Sequence, residues 1–282
     1  MTAARATRWR SADRSGGLLL AACLAPAAVV FAAFWLIPMA WLVVLPAGTG
    51  WETYFAVLTQ PRYLESLLNT LVLSILVTLA TLVIGGAVGL FLARTRFAGR
   101  RLLLSLLTLP LSFPGVIVGF FVILLGGRQG LIPWITEQLG GEGFAFAYGL
   151  LGLFLAYLYF SLPRAVTTYT AAAESLDMQL EEAARSLGAS RLRIALDVWV
   201  PALAPTTVAC GAIVFATAMG AFGTAFTLAT NVDVLPMLIY TEFTLSANIA
   251  ISAALSVGLG IITWFILALA RSFSGSAVAA AG

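Results

Sequence analysis

The sequence contains no histidine, and because all 15 of its basic residues are arginine it contains no lysine either. Without lysine the chain supplies no P-loop, whose lysine must reach the nucleotide phosphates, and no Schiff base. Without histidine it has no imidazole base, no histidine metal ligand and no Ser-His-Asp triad. The two cysteines, Cys23 and Cys210, stand far apart in apolar runs, so they build neither a zinc site nor a disulfide framework. Charge is scarce as well: 10% of the 282 residues are charged, against roughly a quarter in soluble domains. These shortages exclude an ordinary water-soluble enzyme and a disordered tail. Any ATP the protein uses must be hydrolysed by another chain. The net charge of +3 is small and gives no reason to expect nucleic acid as a partner.

What the chain has instead is apolar length. Hydrophobic residues make up 61% of it, and its mean hydropathy is +1.02. A spanning helix needs about 20 mainly apolar residues. Six stretches qualify: Gly17–Leu45, Leu67–Ala93, Leu102–Leu125, Phe144–Leu162, Ala202–Thr230 and Ser246–Ala270. The expected fold is therefore all-α and polytopic, with a tail over 1–16, a six-span membrane domain over 17–271 and a tail over 272–282. Prolines inside the first span (Pro26, Pro38) and the third (Pro110, Pro114) each remove a backbone donor and favour a bend.

The arginines sort by side. Arg5, Arg8, Arg10, Arg14, Arg94, Arg96, Arg100, Arg101, Arg164, Arg185, Arg191, Arg193 and Arg271 fall on one side of this six-span layout, and only Arg62 and Arg128 on the other. The positive-inside rule then places both termini in the cytoplasm. Leu20-Ala21-Ala22-Cys23 has the look of a lipoprotein cleavage box, but the apolar run before Cys23 is too short for a signal-peptide core. Cys23 is read instead as a small buried hydrophobe.

The non-cytoplasmic loops are modest. Pro46–Ser66 carries Trp51, Tyr54, Phe55 and Tyr63, which suit an interfacial aromatic belt. Gly126–Gly143 encloses a short apolar piece, Leu131–Leu139, fit for a surface helix. Asn231–Leu245 is expected as a loop bearing Asp233, Pro236, Tyr240 and Glu242. No internal repeat or coiled-coil heptad is evident.

The strongest signal lies between spans four and five, at about 174–201. Leu180, Ala183, Ala184 and Leu187 recur at helical spacing as one apolar stripe, with Glu181, Glu182, Arg185 and Ser186 on the other side. Glu181 and Arg185 stand in the favourable order four apart. Asp177 suits the N-cap, Gly188 the left-handed position after the helix, and Ser190 the cap of a second helix running to Pro201. Helices that lie on lipid carry bulky apolar residues opposite Lys or Arg. Here the stripe is Ala-rich and the polar side acidic, which favours a protein groove.

Glu182-Ala183-Ala184, three residues, Gly188, nine residues, Val198, one residue and Val200-Pro201 resemble the EAA loop of ABC importer permeases. That family's pattern is Glu-Ala-Ala, three residues, Gly, nine residues, Ile, one residue and Leu-Pro, so Val198 and Val200 are conservative departures. Asn69-Thr70, the Leu109–Gly119 segment and Gly220-Ala221-Phe222-Gly223-Thr224 extend the resemblance. Ala221 stands where molybdate, sulfate and polyamine permeases carry Glu. The resemblance implies a type I importer fold in a bacterial inner membrane. It implies that a coupling helix, with Leu180, Glu181, Glu182, Ala183, Ala184, Arg185, Leu187, Gly188 and Pro201 in or beside it, seats in a groove of a separate ABC ATPase dimer. ATP and Mg would bind there, leaving no cofactor on this chain. It further implies a second permease subunit, either a copy of this chain or, as resemblance to spermidine/putrescine systems favours, a related heterodimer partner, and a periplasmic or lipid-anchored solute-binding protein.

For the solute, Asn69, Thr70, Ser112, Asn231, Asp233, Tyr240, Glu242 and Asn248 are the candidate pathway groups. Asp233, Glu242 and Tyr240 would attract a cation at the outer mouth, and overall resemblance points to a polyamine. An aminophosphonate, ferric iron or an oxyanion such as molybdate or sulfate are the alternatives. A secondary transporter or channel would explain six spans, but proton coupling commonly uses buried carboxylates or histidine, and none lies well inside an expected span. No nucleophile, base or metal constellation points to an enzyme.

Overall fold

In the computed structural model, which describes residues 22–274, helix follows helix and no strand occurs among the described residues. The tail expected over 1–16, the first residues of span one and the end of the C-terminal tail lie outside the described residues. The order is α1 (Ala22–Thr49), α2 (Glu52–Thr59) and α3 (Pro61–Arg94). Next come α4 (Arg100–Thr108), a 3₁₀ turn (Leu109–Ser112), α5 (Gly115–Gly126) and α6 (Leu131–Gln138). Then follow α7 (Leu150–Glu174), α8 (Met178–Ser186) and α9 (Arg191–Met219). The chain closes with α10 (Phe222–Leu228), α11 (Leu235–Thr244) and α12 (Ile249–Ser274). Six candidate membrane spans result.

Two prolines show how the long helices survive them. A helical proline clashes with the carbonyl four residues back. For Pro38 that residue is Phe34 and for Pro201 it is Asp197. Both lie inside single π turns, Ala32–Leu36 and Ala195–Trp199. The widened turn moves the carbonyl away, so α1 and α9 run on through their prolines.

The centre of the bundle is the α3–α7 pair. The buried face of α3 includes a row of small residues, Ser66, Thr70, Ser74, Thr81, Gly85 and Gly89. Small residues let helix backbones approach closely where lipid offers no hydrophobic drive. A Cβ on Gly89 would stand 2.5 Å from Tyr169 Cβ and 3.0 Å from the Thr170 amide nitrogen, so only glycine fits there. The main core joins Val77 and Leu153 on this pair to Val118, Val214 and Leu228. A second cluster, Tyr63, Leu67, Leu235, Leu238 and Leu255, ties α3, α11 and α12 together.

The structure corrects several sequence expectations. The stretch expected as span three is not one helix. After α4 and the 3₁₀ turn the chain is extended at Phe113 and Pro114, and α5 starts only at Gly115. At 12 residues, α5 alone is too short for a hydrocarbon core about 30 Å thick, and the third candidate span is Gly115–Gln138, α5 together with α6. The stretch expected as span five also breaks, at Gly220–Ala221, between α9 and α10. Span four is displaced: α7 begins at Leu150, passes through Pro163 and ends at Glu174. The expected loops at 46–66 and 231–245 contain helices. Pro61 and Pro236 sit in the first turns of α3 and α11, where a missing N–H is harmless. Cys23 is exposed, because the first span packs on little else in the chain, while Cys210 is buried.

Candidate functional site

α8 is delimited by strong local signals. The Asp177 carboxylate accepts the Gln179 N–H at 2.9 Å and opens the helix. At its end Gly188 takes φ +80°, a conformation that glycine adopts without strain. The Ala189 N–H reaches back to Ala184 O at 3.0 Å and the Gly188 N–H to Arg185 O at 2.9 Å. This is a Schellman closure. The Ser190 hydroxyl then accepts the Arg193 N–H at 3.3 Å and caps α9.

The apolar stripe of α8 stays outward, as the expected groove docking requires, while one polar residue turns inward. Glu181 is its one buried residue. The Glu181 carboxylate pairs with Arg94 at the end of α3 and accepts the Trp199 indole N–H at 2.8 Å, and Arg185 approaches at 3.8 Å. On the stripe, Leu180 is 56% and Leu187 89% exposed. Ala183 and Glu182 are exposed and Ala184 is half-buried. The result is a short helix held from beneath by an ion pair, with leucines on its open side. Pro201 is not part of that surface, since it lies within α9 beyond the π turn.

The expected pathway residues fall in four places. Asn69, Thr70, Asn231, Asp233 and Glu242 gather near the N-terminal end of α3. The Asn69 amide donates to Asp233 O at 3.2 Å. The Thr70 hydroxyl accepts the Leu235 N–H at 2.8 Å and donates to Ser66 O at 2.8 Å. Arg62 reaches Asp233 at 3.1 Å and the buried Glu242 at 4.0 Å. Asn231 donates to Tyr148 O at 3.3 Å. These bonds pin the 230–235 turn onto α3, and Arg62 engages both carboxylates that sequence reasoning offered to a cation. Tyr240 stands elsewhere, its ring 5.2 Å from Phe222 and 5.6 Å from Phe226. Ser112 lies exposed in the 3₁₀ turn. Asn248 caps α12, its side-chain oxygen accepting the Ile251 N–H at 3.2 Å.

The two helix breaks meet. A Cβ on Gly115 would stand 3.3 Å from the Thr224 amide nitrogen, and one on Gly223 3.1 Å from that of Val116, so α5 and α10 touch through glycines. The Tyr157 hydroxyl donates to Ala221 O at 2.8 Å, satisfying a carbonyl freed by the break.

Beside these breaks stands a residue that sequence reasoning placed in a loop. Arg164 is well inside α7 and exposed, and its guanidinium donates to the Thr217 hydroxyl of α9 at 3.3 Å. The Pro163-Arg164 pair reads as a span exit. The signal against that reading was the run from Ala165 to Ala173, which contains no turn residue.

Comparison with known proteins agrees with this architecture. Residues 85–276 match the family described as "Binding-protein-dependent transport system inner membrane component". The molybdenum transport system permease protein ModB of Escherichia coli (strain K12) is 34% identical over 190 residues, 66% of this chain and 81% of that protein. The sulfate transport system permease protein CysT of the same strain is 30% identical over 227 residues, covering 78% of this chain and 81% of that protein. In fold, a chain of a bacterial ABC transporter involved in alginate import superposes with a TM-score of 0.81 at 21% identity, over 95% of this chain and 98% of the other. A chain of the MetNI methionine ABC transporter superposes with a TM-score of 0.60 at 19% identity, over 78% and 96%.

Proposed function

The chain belongs to the family of binding-protein-dependent transport system inner membrane components, and from that premise we propose that it is the permease of an ABC importer for a tetrahedral oxyanion of the molybdate or sulfate class. As a permease subunit it carries no ATP-hydrolysing centre, consistent with its lack of lysine and histidine. The observation that carries the coupling role is α8, anchored by Glu181 with Leu180 and Leu187 turned outward. That face seats in a groove of a separate ATPase subunit, which holds ATP and Mg. Closure of two such subunits draws two copies of α8 together and rocks the spans. Two ATPase subunits call for a second permease, either a copy of this chain or a relative. A solute-binding protein delivers cargo at the opposite end. The arginine-rich end, with both termini, faces the cytoplasm.

The substrate assignment replaces the polyamine expectation. The similar permeases named above carry molybdenum and sulfate in their names. The outer carboxylates that suggested a polyamine are engaged by Arg62.

Uptake into membrane vesicles bearing this chain and its co-expressed partners tests the assignment. Labelled sulfate or molybdate is expected to accumulate only with ATP and the binding protein present, and spermidine is expected to remain outside. Accumulation of spermidine without either oxyanion refutes the assignment.

A further inference from the structure

Arg164 lies ten residues before the end of α7 at Glu174, about 15 Å along the axis. A hydrocarbon core is about 30 Å thick, so a residue this far from the helix end lies within it. Its hydrogen-bond partner, Thr217, sits two residues before the end of α9, beside the second helix break. The guanidinium therefore stands inside the span, about one helical turn from the second helix break.

A cation at this depth is expensive, and such residues almost always face a water-filled cavity or pair with an opposite charge. Among the described residues no carboxylate forms an ion pair with Arg164. Its neighbours along α7 carry hydroxyls. Thr167 and Thr168, three and four residues on, continue its face of α7. Thr167 also lines a cavity of about 410 Å³ with Leu104, Ser105, Thr108, Thr170 and Ala171, which ends at the Arg100–Glu174 pair and does not include Arg164. A hydroxyl-rich strip thus runs from inside the span to the arginine-rich end, with one uncompensated positive charge at its head.

We propose that Arg164 is the solute-recognising residue of this pathway, whose guanidinium supplies the counter-charge for a tetrahedral oxyanion inside the span. The proposal rests on the oxyanion-importer reading and deepens it. Guanidinium presents parallel N–H donors that match two oxygens of such an anion. The same charge repels a polyamine.

The test uses the full chain with its partners in membrane vesicles, with Cys23→Ser and Cys210→Ala removing the native thiols. Thr168→Cys, one turn from Arg164, is exposed to a membrane-impermeant thiol reagent from both faces. It is expected to react, and saturating sulfate or molybdate is expected to slow the reaction about tenfold, the lower end of what a charge-assisted hydrogen bond supplies. Arg164→Gln should abolish the slowing and Arg164→Lys should restore part of it. In parallel, Arg164→Gln should lower oxyanion uptake by about ten- to a hundredfold. If Thr168→Cys does not react from either face, the strip is dry and the proposal falls. If the oxyanions slow the reaction equally with Arg164→Gln, the proposal falls while the oxyanion reading stands. If spermidine slows it and the oxyanions do not, both fall.

Discussion

Replacing Glu181 with alanine is expected to lower ATP-driven uptake about a hundredfold or more while the chain still inserts in the membrane, because removing one partner of a buried ion pair costs about 3–5 kcal/mol. The Glu181 carboxylate is the only buried group of α8 and holds the helix to two elements at once, Arg94 at the end of α3 and Trp199 in α9. Without it Arg94, 16% exposed in its side chain, keeps a charge with no counterpart. The helix then lies loosely on the bundle, and motion of the ATPase is not passed to the spans. Glu181→Gln keeps an acceptor for Trp199 but loses the charge, so its expected loss is smaller, about tenfold. Arg94→Met combined with Glu181→Leu removes both charges and should recover thermal stability relative to Glu181→Ala, since apolar replacement of a buried pair is often neutral. Uptake and thermal unfolding of the purified complex check these outcomes. Normal uptake by Glu181→Ala would show that the anchor plays no part in coupling.

The second large effect belongs to the opposite side of the same helix. Leu180→Asp combined with Leu187→Asp should abolish co-purification of the ATPase subunit, weakening its binding by about a thousandfold or more if each leucine is an interface hot spot worth about 2 kcal/mol or above. Both leucines are largely exposed, so the folded bundle loses little when they change. Thermal unfolding of the chain itself should shift by little, which separates an interface effect from misfolding. Retention of the ATPase by this double variant would move the docking surface elsewhere.

Much of this was legible in the sequence, and the exceptions have physical causes. Asp177, Gly188 and Ser190 announce the ends of α8 and the start of α9 because capping and left-handed closure are local chemistry. The outward stripe of α8 agrees with the groove docking expected from its composition. The anchor was not legible, since nothing in the local pattern says that Arg94, 87 residues earlier, waits to bury Glu181. Six apolar stretches were countable, but their bounds were not. Pro163-Arg164 reads as an exit because lone segments do exit there, whereas inside a bundle neighbouring helices cover the backbone a proline leaves open. The breaks at Pro114 and Gly220 were foreshadowed by Pro and Gly, yet their meeting through Gly115 and Gly223 is a tertiary fact. Asn69, Thr70 and Asp233 carried a true signal of proximity in their polarity, though the structure uses them to fasten a turn.

The most direct test of the coupling account is a photo-crosslink from position 187. A photoreactive residue replacing Leu187 in the full chain is illuminated in intact membranes, with one replacing Asp233 at the other end as control. The account predicts that position 187 joins to a separate nucleotide-binding, ATP-hydrolysing chain, and that position 233 does not. Crosslinks from position 187 to lipid or to this chain alone would contradict it.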